Sequence, residues 1–171
     1  MKAVTLLFIA GAPGSGKSTV AKKLARRSSG FVFFDSDWLI EAASGLAGRD
    51  IHVAPETWPP YSKLWLAILH AIDANGLTPI LLTPSDPSDF DSEPLPDWCK
   101  GIRWLLLDCD IGVRAERLLS RGWDTVQVQE ALKDAALMRR LIPQQIDTTL
   151  LSPESVADHI LNWLELDQQK G

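Results

Sequence analysis

Cysteine is scarce in this chain of 171 residues: Cys99 and Cys109 are its only two. They lack CxxC spacing and a nearby histidine, so neither a zinc site nor a disulfide framework is expected, and the expected compartment is the reducing cytosol. A surplus of positive charge is missing as well. With 17 basic against 22 acidic residues the net charge is −5, which excludes a protein whose main work is to neutralise nucleic-acid phosphates. No run reaches the ~18 apolar residues of a membrane span, so no membrane partner is expected. Repeats, low-complexity tracts and dividing linkers are also lacking, and one domain over residues 1–171 is expected. What is there is ordinary for a soluble globular chain, 46% hydrophobic and 23% charged, enough to build a core without disulfides or structural metal.

The opening MKAVTLLFIAGA has the outline of a signal peptide. Pro13 and the GSGKST that follows make better sense as a strand feeding a loop. From there strands and helices alternate. Ala3 to Ala10 reads as a buried strand, Lys17 to Ser28 as a helix, FVFF from Phe31 as a strand, and Trp38 to Leu46 as the start of a helix. A stronger helix runs from Tyr61 to Asn75 with Gly76 at its stop, followed by a strand over Leu77 to Thr83. Pro84 to Trp98 is rich in Pro, Ser and acid, a loop composition. Ile102 to Asp108 is a fourth strand, Ile111 to Arg121 and Thr125 to Leu141 are helices, and Gln144 to Thr148 is a short strand. The closing helix has Ser152 as N-cap and Pro153 at its first position. Strands separated by helices predict an α/β fold, a parallel five-stranded sheet covered on both faces.

The stretch GAPGSGKS fits G-x-x-x-x-G-K-[ST] at Gly11, Gly16, Lys17 and Ser18, between a predicted strand and a predicted helix. Glycines let backbone N–H groups turn toward a phosphate, and the helix N-terminus adds favourable partial charge. Gly11, Ala12, Pro13, Gly14, Ser15 and Gly16 would form the cradle, Lys17 would reach the β- and γ-phosphates, Ser18 would offer a hydroxyl to Mg²⁺, and Thr19 would flank the site. A guanine-reading N-K-x-D is absent, and DANG at Asp73 to Gly76 falls at a helix end, so a GTPase switch is not expected.

The stretch FVFFDSDWLIEA sets Asp35 and Asp37 at the carboxyl end of the second strand, the edge where open α/β sheets bind ligands. Here the chain resembles, over nearly its whole length, the small P-loop kinases: nucleoside monophosphate, shikimate and gluconate kinases and chloramphenicol phosphotransferase. The resemblance implies a three-layer fold with a short LID, ATP and Mg²⁺ as cofactors, and transfer of a phosphoryl group to a small-molecule acceptor. It puts Asp35 near the metal and Asp37 on the acceptor hydroxyl as base; Asp37 also suits the N-cap of the helix opening at Trp38, a compatible role. In VRAERLLSRG, Arg114, Arg117 and Arg121 share a helix face. In these kinases R-x-x-x-R at this point opens the LID, which implies Arg117 against adenine and Arg121 on the β- and γ-phosphates. Lys133, Arg139 and Arg140 are weaker candidates for closing onto them.

Departures from the pattern leave the acceptor open. The glycines and substrate arginines of shikimate kinase are missing, as is the gluconate kinase segment after its substrate Asp. WLLLDCD has the outline of a Walker B strand, but strand order makes Asp108 and Asp110 caps in expectation. Thr83, Ser85 and Asp86 are open positions facing the site, Arg49 suits an anionic acceptor, and Trp38 and Trp58 suit stacking on a ring. The sequence therefore predicts an ATP-dependent phosphotransferase acting as a monomer or homodimer, with a non-catalytic ATP-binding regulator and a simple ATP hydrolase as the rival readings.

Overall fold

A computed structural model describes residues 3–27, 30–91 and 94–168. Five parallel strands form one sheet in the order β2-β3-β1-β4-β5: β1 is Val4–Ala10, β2 Phe31–Asp35, β3 Thr78–Thr83, β4 Cys99–Asp108 and β5 Gln145–Asp147. Among the described residues there are six α-helices: α1 Lys17–Leu24, α2 Ile40–Ala47, α3 Trp58–Ala74, α4 Ile111–Leu119, α5 Thr125–Leu141 and α6 Pro153–Gln168. Among the described residues no helix is long and apolar enough to cross a membrane.

Side-chain alternation along β1 divides the core. Leu7 and Ile9 face one layer with Val20, Leu24, Leu105, Leu107, Ile160 and Leu164, beneath α1 and α6. Leu6 and Phe8 face the other, with Tyr61, Trp65 and Leu69 of α3. Both faces of β1 are buried, which is why its sequence is a continuous apolar run rather than an alternating one. Pairing is in register, Ile9 with Leu82 on one side and with Leu105 on the other. The carboxyl ends of β1, β3 and β4 therefore open onto the same edge.

Several boundaries move, each for a local reason. α1 ends at Leu24, with a turn over Ala25–Arg27, and Ser28 lies outside the described residues. α3 begins at Trp58 and takes Pro59 and Pro60 into its first turn, where a missing N–H leaves no bond unmade. β4 starts at Cys99, its early residues pairing with β1 across a register shift between Val4 and Thr5. Asp37 is not a helix N-cap: Asp35 caps a 3₁₀ turn over Ser36–Leu39, accepting from the Asp37 N–H at 3.1 Å.

Candidate active site

The loop Gly11–Gly16 leaves the centre of the sheet and turns back into α1. Gly14 and Gly16 sit at φ +83° and +95°, in the left-handed region that side chains other than glycine rarely adopt. At Gly11 an added Cβ would come within 2.5 Å of the Ser15 Oγ and 2.9 Å of the Leu107 carbonyl. Lys17 opens α1, is buried, and donates from Nζ to the Gly11 carbonyl. Burial pushes its ammonium down to about 8, against the opposing pull of Asp37 and Asp35. Ser18 and Thr19 are exposed in the first turn of α1.

A clamp from the far side holds this loop in shape. Arg114 of α4 is fully buried; its Nη1 donates to the carbonyls of Ala12 at 3.1 Å and Pro13 at 2.5 Å, and its Nη2 to Asp108 Oδ1 at 2.6 Å. The Asp108 carboxylate also accepts from Arg139 of α5, through Nε and through Nη2 at 3.2 Å. Asp108 is therefore not a cap, as expected from the sequence, but the junction of two guanidinium groups, whereas Asp110 does cap α4 through the N–H groups of Gly112 and Val113. Arg139 is likewise committed to Asp108 and to the Cys109 carbonyl at 2.9 Å.

Arg117 donates to the Gly14 carbonyl at 3.2 Å and to the Thr148 hydroxyl and carbonyl at 3.4 and 3.1 Å. Thr148 in turn donates to the Ser15 carbonyl at 3.0 Å. Arg117 thus braces the cradle against the segment after β5. Arg121 lies beyond the last residue of α4, exposed in the turn before α5, and its positive charge is among those felt by Lys17.

Asp35 and Asp37 leave the end of β2 on the other flank. Asp35 is completely buried; one carboxylate oxygen caps the turn and the other, Oδ2, has no hydrogen-bond partner. A buried carboxylate oxygen without a partner is costly unless a cation or donor meets it. The Ser15 Oγ in the cradle is likewise buried without a partner. Asp37 is held above the usual carboxylate range by loss of hydration and by Asp35, with Lys17 and His52 pulling it back. The turn carrying it is pinned by Tyr61 of α3, whose hydroxyl donates to the Ser36 carbonyl.

Sequence reasoning passed over Tyr61 and Thr148, whose roles depend on partners 25 and 133 residues away. Arg114 was legible only as one of a row, although an arginine on the apolar side of a helix is the signal of a buried clamp. Arg49, a candidate for an anionic substrate, is paired with Glu56 at 2.6 Å. Asp86 caps a short 3₁₀ turn over Pro87–Phe90, while Thr83 and Ser85 line a small cavity beside Asp37 with Trp58, Tyr61 and Phe90.

The sequence model of the AAA domain family matches residues 7–138. A stretch of 66 residues is 38% identical to shikimate kinase 2 of Dickeya chrysanthemi, covering 39% of this chain and 37% of that protein. Among solved structures, a putative kinase from Chloroflexus aurantiacus superposes with a TM-score of 0.67 at 18% identity, over 100% of this chain and 99% of the other. The tunicamycin resistance protein of Deinococcus radiodurans gives 0.65 at 21% identity over 95% and 96% of the two chains. A sugar kinase from Janibacter gives 0.63 at 22%, over 95% of each. At these identities the structural likeness establishes a shared fold.

Proposed function

The chain belongs to the AAA domain family and has the fold of the small P-loop kinases, and on that premise we propose that it transfers the γ-phosphoryl group of ATP to a hydroxyl of a small-molecule acceptor. The observation that carries this reading is the pairing of a braced phosphate cradle with a separate acid turn, Asp35 and Asp37, whose second carboxylate opens into a walled cavity. A nucleotide switch needs the first and has no use for the second.

In this reading the backbone N–H groups of the cradle and the ammonium of Lys17 hold the triphosphate, and Arg121 meets the oxygens that gain charge as the phosphoryl group moves. Mg²⁺ fits the Ser18 hydroxyl and the unpartnered Asp35 Oδ2, and when bound it neutralises charge on the β- and γ-phosphates. Asp37 accepts the acceptor's hydroxyl proton as its oxygen bonds to the γ-phosphorus and the bond to the β-phosphate oxygen breaks, releasing ADP. Its raised affinity for protons suits a base more than an ordinary surface aspartate would. Asp108, engaged by Arg114 and Arg139, argues against the hydrolase reading, which needs that carboxylate at the metal. The two buried free thiols accord with a cytosolic enzyme.

The test is ADP formation from Mg-ATP with acceptors of several chemical classes. Stimulation by one class, lost in Asp37→Asn, supports transfer; tight ATP binding with no stimulation by any class points to a non-catalytic regulator.

A further inference from the structure

On the acceptor side a cavity of about 510 Å³ lies between α3 and the segment following β3. Its walls include Trp58, Leu66, Phe90 and Leu95, with Pro59 and Pro84 between them. It shares Trp58, Ser62, Leu66, Pro84, Ser85 and Phe90 with the small cavity that Asp37 lines, so the two are neighbouring parts of one hollow. The volume falls in the range that holds drug-sized ligands, ~300–1,000 Å³.

Two of the walls, Trp58 and Phe90, are held by ring contacts. Trp58 meets His52 and Tyr61 edge-on, at centroid distances of 6.1 and 5.9 Å. Phe90 is fixed edge-on to Phe8 at 5.7 Å and tilted on Trp104 at 5.8 Å. Tyr61 belongs both to this aromatic row and to the hydrogen bond that pins Ser36, so the same helix sets the hollow and the turn that bears Asp37.

Charge decides what fits. Lys63 and Asp89, of opposite sign, are the charged groups of the large cavity among the described residues; Asp37 is that of the small one. Asp89 itself is pushed up by burial and by the neighbouring Asp86 and Asp134. The one guanidinium of the α2–α3 segment, Arg49, is engaged by Glu56. A carboxylate or phosphate on the acceptor would thus enter a largely apolar hollow beside Asp37 and Asp35, with Lys63 but no arginine fork among the described lining residues to receive it, and the like charge of the aspartates disfavours it there.

We propose that the acceptor is an uncharged alcohol with a ring-bearing apolar body, seated between Trp58, Leu66 and Phe90, which presents its hydroxyl to Asp37. The assignment rests on the transferase reading and narrows it, setting aside hydroxy acids, sugar phosphates and nucleoside monophosphates. Ser62 and Ser85, which line both cavities, supply hydroxyls for a polar substituent of that body. In the transfer the alcohol's O–H proton passes to Asp37, the new O–P bond replaces the bond to ADP, and Asp37 returns the proton to water.

The experiment measures ADP release by the full chain with saturating Mg-ATP and four probes at matched concentration: 2-(2-naphthyl)ethanol, gluconate, glucose and uridine monophosphate. The expected result is stimulation by the naphthyl alcohol alone, with KM raised tenfold or more in Trp58→Ala and kcat changed by less than threefold. Phe90→Leu, a smaller change kept as a second variant should Trp58→Ala fail to fold, is expected to raise KM several-fold with ATP affinity intact. Stimulation by gluconate or uridine monophosphate and not by the naphthyl alcohol would overturn the acceptor class while leaving the transferase standing. Binding of the naphthyl alcohol by calorimetry with an ATP analogue present, without ADP release from any of the probes, would overturn its role as acceptor and count against the transferase itself.

Discussion

Lys17 holds a charge in a place that does not favour one. Its folded-state pKa of about 8 lies below the ordinary 10.5, so keeping the ammonium charged at pH 7 costs about 3 kcal/mol. Between those two values the unfolded chain binds more protons here than the folded one, so stability rises with pH across the window. Lys17→Met is accordingly expected to abolish ATP binding while making the nucleotide-free protein at least as stable as the parent at pH 7. The gap in melting temperature should narrow as pH rises from 8 toward 10.5, which melting curves over that range would check. Arg114 behaves oppositely, because its guanidinium is buried against the Asp108 carboxylate and two backbone carbonyls. Arg114→Ala takes one of two guanidinium partners from Asp108 and removes the side-chain donor to the Ala12 and Pro13 carbonyls, the first of which keeps the Ser15 N–H, a loss of about 1–3 kcal/mol for each buried group left unsatisfied. Arg139 is more exposed, and Arg139→Ala is expected to cost less in the same denaturant titration. A sequence shows that arginines are present in a row; it does not show which one turns inward, because that depends on the carbonyls of a loop some hundred residues away.

The conformation of the Gly11–Gly16 loop was legible in the sequence, since its glycines are local and the positive φ values at Gly14 and Gly16 are ones that glycine permits. Gly16 has no atom within 4 Å of where a Cβ would stand, so Gly16→Ala meets only backbone strain, about 1–3 kcal/mol. Its expected signature is a modest fall in unfolding free energy with a much larger loss of ATP affinity, as the loop relaxes away from φ +95°. The bounds of α5 are those read from the sequence, Thr125 to Leu141, and the structure shows Asp124 and Gln127 forming a capping box at its start. Asp124→Ala should cost about 1 kcal/mol, read by urea denaturation. The turn bearing Asp37 was misread in detail: DSD holds two candidate caps, and only the depth of Asp35 in the sheet selects it over Asp37. The start of α3 was set too late because two prolines look like a stop until they are seen to fall in the first turn.

Across the whole molecule, the order β2-β3-β1-β4-β5 gathers pieces far apart in sequence at one edge of the sheet. The cradle follows β1, the acid turn β2, Thr83 ends β3, and the arginines of α4 follow β4. Alternation of strands and helices was enough to predict the sheet; the hollow beside Asp37 was not predictable, since its walls come from α3 and from the Pro-rich segment after β3, which carries no periodicity to place it. A ligand that binds only the folded chain stabilises it by mass action, ~2.7 kcal/mol at a hundredfold excess over its Kd. Mg-ATP at that excess is expected to raise the melting temperature by about 5–10 °C, and to give no shift in Lys17→Met.

Asp37 is the group proposed to take the acceptor's proton. Its most direct test is acceptor-dependent ADP release by the parent and by Asp37→Asn, with ATP affinity measured on both. The expected result is a fall in kcat of about 10²–10⁴-fold with the Kd for ATP within a few-fold of the parent. Undiminished acceptor-dependent turnover in Asp37→Asn would contradict it.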